Sequence, residues 1–168
     1  SGYITVKLLR TKAEAQQAII GYVKSFKSFL NKKISVVRCD NAKELMSKEV
    51  SKYLHEEGIL REYTAPYSSH QNGKAERMNR TLLDLVRAMI AGHEKNLWGE
   101  AVTQAVLVRN HSWNEKINQI PAKLFWGNRF RELDGNRMLE FGQEIYIHKK
   151  GPQDKLQQRG IRCKYVGY

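Results

Sequence analysis

ISVVRCD, residues Ile34–Asp40, is the stretch on which the fold turns. It is short, apolar and rich in β-branched residues, which suits a buried strand. It ends on an acid and is followed by Asn41, a turn-former. A carboxylate in that place sits on rigid backbone where a loop opens to solvent, which is where a chemical group can be used. Just beyond it, Ser47 is placed to cap a short helix carrying Val50, Tyr53 and Leu54, with Gly58 as its stop. ILREYT (Ile59–Thr64) then reads as a second strand. Strand, helix and strand in this order form the unit of an α/β sheet.

Upstream, GYITVKLL (Gly2–Leu9) has the composition of a further strand, and Thr11 and Glu14 have the spacing of a capping box. Ala15, Ala18, Ile19, Tyr22, Val23, Phe26, Phe29 and Leu30 follow at steps of three and four, so a long amphipathic helix with one continuous core face is expected. Downstream, PYSSHQNGKAERMNR (Pro66–Arg80) reads as a polar loop leading into a helix from about Lys74 to Ala91. Another helix covers roughly Leu97 to Asn110, and Pro121 opens a short helical turn. Beyond Gly127 the chain becomes loop-rich, with EIYIHK (Glu144–Lys149) and RCKYVGY (Arg162–Tyr168) as strands. These changes divide the chain into an α/β region, 1–128, and a small β-rich region, 129–168.

Composition narrows the function classes. A hydrophobic content of 41% with 27% charged residues is that of a core-forming globular chain. No apolar run approaches the roughly 20 residues of a membrane span. The first residue is Ser1 and a strand-like run begins at once, so the chain reads as a segment of something longer. Cys39 and Cys163 stand far apart without ligand-spaced neighbours, which speaks against a disulfide framework or a zinc knuckle and for two buried thiols.

The net charge of +12 favours a polyanionic partner, although a basic soluble surface would show the same excess. The excess is uneven. Residues 1–40 carry 8 Lys and Arg against 2 acids, residues 41–93 carry 8 against 7, and residues 94–168 carry 13 against 8.

Glu76, among Lys74, Arg77 and Arg80, is the one early carboxylate of its helix, and 35 residues separate it from Asp40. Two readings are open. It is a metal ligand paired with Asp40, or it is the i, i+4 partner of Arg80 in an ordinary helix-surface ion pair. A helical projection puts Glu76 at the edge of the apolar stripe Ala75, Met78, Leu82, Leu85, Val86 and Met89. The same projection puts Asn79 inside that stripe, where its amide needs partners. Lys74 at a helix start opposes the helix dipole, which makes sense beside phosphates. The loop residues Ser68–Gly73 are either a mere surface loop or part of a functional one. Trp98, Trp113, Phe125 and Trp126 read as core or subunit-contact residues.

RCDNAKEL, then a helix, then TAPYSSHQNGKAERMNRTL resembles the integrase core of copia-type retrotransposons, within the retroviral integrase and DDE transposase group. The resemblance covers nearly the whole chain. It implies a ribonuclease-H-like α/β fold, here lacking its first strands, with a partial small β module at the C-terminus. It implies DNA integration, meaning 3′-end processing and strand transfer of element cDNA, by an enzyme that binds two divalent metals, Mg²⁺ or Mn²⁺, through three carboxylates.

Asp40 matches the second of those acids and Glu76 the third; the first is expected on a strand before Ser1. Upstream of Asp40 the chain has a single acid, Glu14, already explained as a helix cap. The resemblance also implies DNA contacts from Asn72, Gly73, Lys74, Arg77 and Arg80, and a site-orienting role for Asn79. A homo-oligomer is implied for the complete protein, in the nucleus and in cytoplasmic virus-like particles. The family commonly has a Gly pair after Asp-Asn, where this chain has Ala42-Lys43. The competing reading is a non-catalytic DNA-binding or assembly fragment of a decayed or domesticated element.

Overall fold

The computed structural model describes residues 1–30, 32–39, 47–63, 69–133, 138–148, 151 and 160–167, without the side chains of residues 69–72. Its elements in order are α1 (Glu14–Leu30), β1 (Val36–Cys39), α2 (Lys48–Glu56), β2 (Leu60–Tyr63), α3 (Ser69–Ile90), α4 (Trp98–His111), α5 (Pro121–Trp126), β3 (Glu144–His148) and β4 (Gly160–Lys164). The contacts divide the chain into two compact units: Lys7–Asn79, and Ser1–Val6 with Arg80–Tyr168. The boundary expected near residue 128 lies inside the second of these.

In the unit Lys7–Asn79, β1 and β2 pair in parallel with Val36 opposite Leu60 and Cys39 opposite Tyr63, and α2 makes the crossover between them. Both ends of α2 are set by local chemistry. Ser47 has extended backbone and its side chain accepts from the Val50 N–H, satisfying one of the free donors of the first turn. At the other end the Gly58 N–H donates to His55 O and the Ile59 N–H to Leu54 O, at 2.9 and 2.8 Å. That pair of bonds requires the left-handed conformation Gly58 adopts, φ +65°. Leu54 and Ile59, brought together by this turn, join Val23 and Val50 in the core of the unit, with Ile19, Ile20, Ile34, Val37 and Tyr53 around them.

Three expectations are corrected here. Val36 is exposed, so β1 is half-exposed rather than buried. The face of α1 is not continuous: Val23 is buried, while Tyr22 and Phe29 are exposed. The reciprocal capping box is not formed either; the Glu14 carboxylate accepts from the Arg10 N–H at 3.2 Å, one residue before Thr11.

In the other unit, Val86, Ala101 and Ala105 form the core between α3 and α4, with Leu82, Leu85, Met89, Ile90, Val102 and Phe141 packed against it. Ala101 and Ala105 are fully buried in it. Gly2–Leu9, expected as a strand, makes no ladder among the described residues. β propensity is realised only where a neighbour supplies ladder partners, and at Ile4 a side chain supplies them instead. The Ile4 N–H donates to Asn110 Oδ1 at 2.9 Å and Asn110 Nδ2 donates back to Ile4 O at 2.8 Å. Next to it, Tyr3 stacks on Phe125 with ring centroids 4.2 Å apart and meets Trp126 edge-on. Phe125 and Trp126 are half-buried, whereas Trp98 and Trp113, also read as core or subunit-contact residues, are exposed. β3 and β4 pair antiparallel, from Glu144 opposite Lys164 to His148 opposite Gly160. Cys39 and Cys163 form no disulfide and are half-buried rather than buried.

Candidate catalytic site

The parallel pairing of β1 and β2 puts their C-terminal ends side by side, at Cys39 and Tyr63. In open α/β sheets the chemistry gathers at that edge, because the loops leaving the strand ends converge there. The chain leaving β1 runs directly into Asp40, and the chain leaving β2 runs into α3, which carries Glu76. Asp40 itself lies outside the described residues. Two residues before it, Arg38 is held across the strands by Glu62, with guanidinium bonds of 2.6 and 2.9 Å, so that cation has its own counter-charge.

α3 starts at Ser69, about five residues earlier than the sequence indicates. Ser69–Gly73 are helical turns rather than a loop. Their polar composition suggested a loop only by correlation, and Gly73 needs no positive φ there. A helical glycine is tolerated at a cost of about 1 kcal/mol. Lys74 therefore lies past the first turn, and the argument that it opposes the helix dipole does not apply, since the dipole acts within that turn.

Glu76 is exposed on the second turn of α3. Among the described residues it makes no hydrogen bond and no ion pair, with Arg80 or any other group. The ordinary structural role considered for it is therefore not occupied. Lys74, Arg77 and Arg80 are exposed around it, and the Arg77 guanidinium lies against Gly73, its Nη1 3.6 Å from where a Cβ would stand. Asn79 is also exposed, not inside the apolar stripe as the projection places it. Between Gly73 and Arg80 only Gly73 and Met78 are even half-buried, so there is no stripe for Asn79 to enter. The side chain of Asn72 is outside the described set. Glu14, the one acid upstream of Asp40, is engaged with Arg10 as a helix cap.

A hard divalent cation takes oxygen donors, and a solvent-facing, unpaired carboxylate such as Glu76 is a suitable one. Among the described residues no group of three or more His, Cys, Asp or Glu side chains converges on a point. The described part of the site thus supplies one fitting donor. Nor is any helix among the described residues long and apolar enough to cross a membrane.

Two curated proteins align along most of this chain. It is 33% identical over 167 residues, 97% of its length, to the retrovirus-related Pol polyprotein from transposon TNT 1-94 of Nicotiana tabacum. It is 32% identical over 130 residues, 76% of its length, to the truncated transposon Ty1-A Gag-Pol polyprotein of Saccharomyces cerevisiae. Over most of its length the chain thus matches a segment of retrotransposon Pol polyproteins.

Solved structures agree on the fold. A chain of the simian T-cell lymphotropic virus intasome in complex with PP2A regulatory subunit B56 gamma superposes with a TM-score of 0.60 at 18% identity, covering 93% of this chain and 54% of that one. The catalytic core domain of BIV integrase superposes at 0.54 and 17% identity, covering 74% of this chain and 76% of that one. The ribonuclease-H-like α/β fold is therefore that of the integrase cores, with short sheets that match part of it. No protein-family model matches this chain. The chain spans 12% and 11% of the length of the two Pol relatives.

No single base of residues 1–40 stands out in the sequence. The structure gathers several of them: Lys27, Lys32 and Lys33 line one groove with Glu56 and Glu57. The signal available was the ratio of 8 bases to 2 acids in that stretch.

Proposed function

We propose that this integrase core serves DNA integration: 3′-end processing and strand transfer of element cDNA into target DNA, as part of a longer copia-type Pol protein. The observation that carries the reading is the state of Glu76, exposed on α3 and unpaired among the described residues, in a chain that matches a retrotransposon Pol polyprotein through almost its whole length. A carboxylate placed in solvent among three cations, with no partner, contributes little to the fold and is available for chemistry.

In this proposal Asp40 and Glu76 hold Mg²⁺ or Mn²⁺, together with a third carboxylate on an upstream strand of the complete protein. When bound, the metal pair supplies electrostatic stabilisation at the attacking and leaving oxygens of a phosphoryl transfer. Asn72, Gly73, Lys74, Arg77 and Arg80 bind the DNA backbone and hold its position, and Asn79 orients the site through its exposed amide. Residues 1–128 act as the core and 129–168 as the start of a small β-rich module. The complete protein acts as a homo-oligomer, in the nucleus and in virus-like particles.

The test is a DNA-joining assay on the complete protein carrying Asp40→Asn, with a labelled element end and Mn²⁺. The expected result is loss of joining with DNA binding largely retained. If the parent protein binds DNA but joins nothing, the assembly-fragment reading takes its place. Unchanged joining in Asp40→Asn would remove Asp40 from the site.

A further inference from the structure

Within the unit Lys7–Asn79, a groove of about 470 Å³ opens between the C-terminal ends of α1 and α2, lined by Lys27, Lys32, Lys33, Glu56 and Glu57. Lys52 stands 3.9 Å from Glu56, and the Lys24 ammonium lies 5.4 Å from the centre of the Tyr53 ring. The charges do not cancel. Glu57 is taken by Lys27 at 2.7 Å, a contact that raises the Lys27 pKa, and Glu56 is taken by Lys52.

Lys24, Lys32 and Lys33 have no acidic partner among the described residues. Lys27 in the last turn of α1 also suits the helix dipole. Lys32 lies beyond the end of α1 without such a reason, while the Lys33 ammonium stands beside Gly58 at the C-terminal end of α2, 3.5 Å from where a Cβ would be. From Ala15 to Cys39 the chain has no acid at all. Lys32 and Lys33, two ammonium groups of this groove without an acidic partner among the described residues, repel one another and are stabilised by an anion. The groove has room for phosphate oxygens and their waters, and lysine is a point-charge phosphate binder.

We infer that this groove is a second nucleic-acid contact, in which Lys32 and Lys33 hold backbone phosphates of a duplex independently of the cations on α3. The inference rests on the proposed DNA function and adds a surface to it. A lysine-lined groove makes no base contacts, so it binds duplexes of any sequence alike and responds steeply to salt.

The experiment is fluorescence anisotropy of the full chain with a labelled duplex of scrambled sequence over a salt series. The variants are Lys32→Ala/Lys33→Ala, the charge-keeping Lys32→Arg/Lys33→Arg, Arg77→Ala/Arg80→Ala on α3, and the exposed control pair Lys116→Ala/Lys123→Ala. Each phosphate contact contributes about −0.9 to the slope of log affinity against log salt. The groove alanine pair is expected to flatten the slope by about two contacts' worth, roughly 1.8. The arginine pair should keep it, and the control pair should change it less. A groove pair that behaves like the control pair, while Arg77→Ala/Arg80→Ala still flattens the slope, overturns the groove and leaves the DNA function standing. Absence of salt-dependent binding in the parent chain overturns both. Circular dichroism of each variant shows that the fold is kept, which is expected because Lys32 and Lys33 are exposed.

Discussion

From Gly73 to Arg80, α3 leaves Lys74, Ala75, Glu76, Arg77, Asn79 and Arg80 exposed. From Leu82 to Ile90 the same helix packs Leu82, Leu85, Val86, Met89 and Ile90 around Ala101 and Ala105 of α4. The backbone does not change between the two stretches, but what the side chains do for the molecule does. The second half holds the fold by burying apolar surface, worth about 25 cal/mol per Å². The first half buries almost nothing, so its residue choices are not set by packing. Glu76, whose carboxylate pairs with nothing among the described residues, is presented there on helical backbone, a suitable place for a chemical group.

Introducing the same carboxylate into each half should separate them most widely. Val86→Asp puts an unpaired charge at a 6% exposed position, and a cost of about 3–5 kcal/mol is expected. Ala75→Asp, on the exposed half, should stay within about 0.5 kcal/mol. Urea unfolding of the two variants measures this, and equal midpoints would erase the distinction between the halves.

Next in size is Asn110→Ala, which strands both backbone groups of Ile4 in a part-buried place. The expected loss is about 1–3 kcal/mol, with faster hydrogen exchange at the Ile4 amide. Ser47→Ala removes the bond to the Val50 N–H and should cost about 1 kcal/mol in thermal or urea unfolding.

The smallest effect concerns Glu144, whose carboxyl is lowered first by its hydrogen bond from Arg162 and then by that residue's charge. A lowered carboxyl contributes stability above its ordinary pKa and loses it as pH falls through the folded value. The gap in Tm between the parent chain and Glu144→Gln should therefore close as pH drops below the usual carboxylate range. Because the pair is exposed, the gap should be small at any pH and smaller still in high salt.

What the sequence made legible follows from how local the cause is. The Ser47 cap, the Gly58 stop and the Pro121 start are decided within a few residues, and each stands where the sequence places it. Gly2–Leu9 was misread because a strand depends on a distant partner, and the partner at Ile4 is the side chain of Asn110, 106 residues away. The start of α3 was misread because Ser69–Gly73 is polar in a way that both an exposed helix and a loop accept. Asn79 was misplaced because a helical projection assumes that the apolar face is covered along its whole length. The spacing of Asp40 and Glu76 could be read directly, whereas the absence of an Arg80 partner for Glu76 could come only from coordinates.

The central claim, that the exposed half of α3 serves chemistry and not the fold, is tested most directly by Glu76→Gln read in two ways. In the complete protein, DNA joining with Mn²⁺ or Mg²⁺ should be abolished, because a neutral amide cannot supply the charge a hard dication requires. In the same variant the urea midpoint should move by no more than about 0.5 kcal/mol, since no partner is lost. Joining at the parent rate, or a large loss of stability, would contradict the account and return Glu76 to the surface of an ordinary helix.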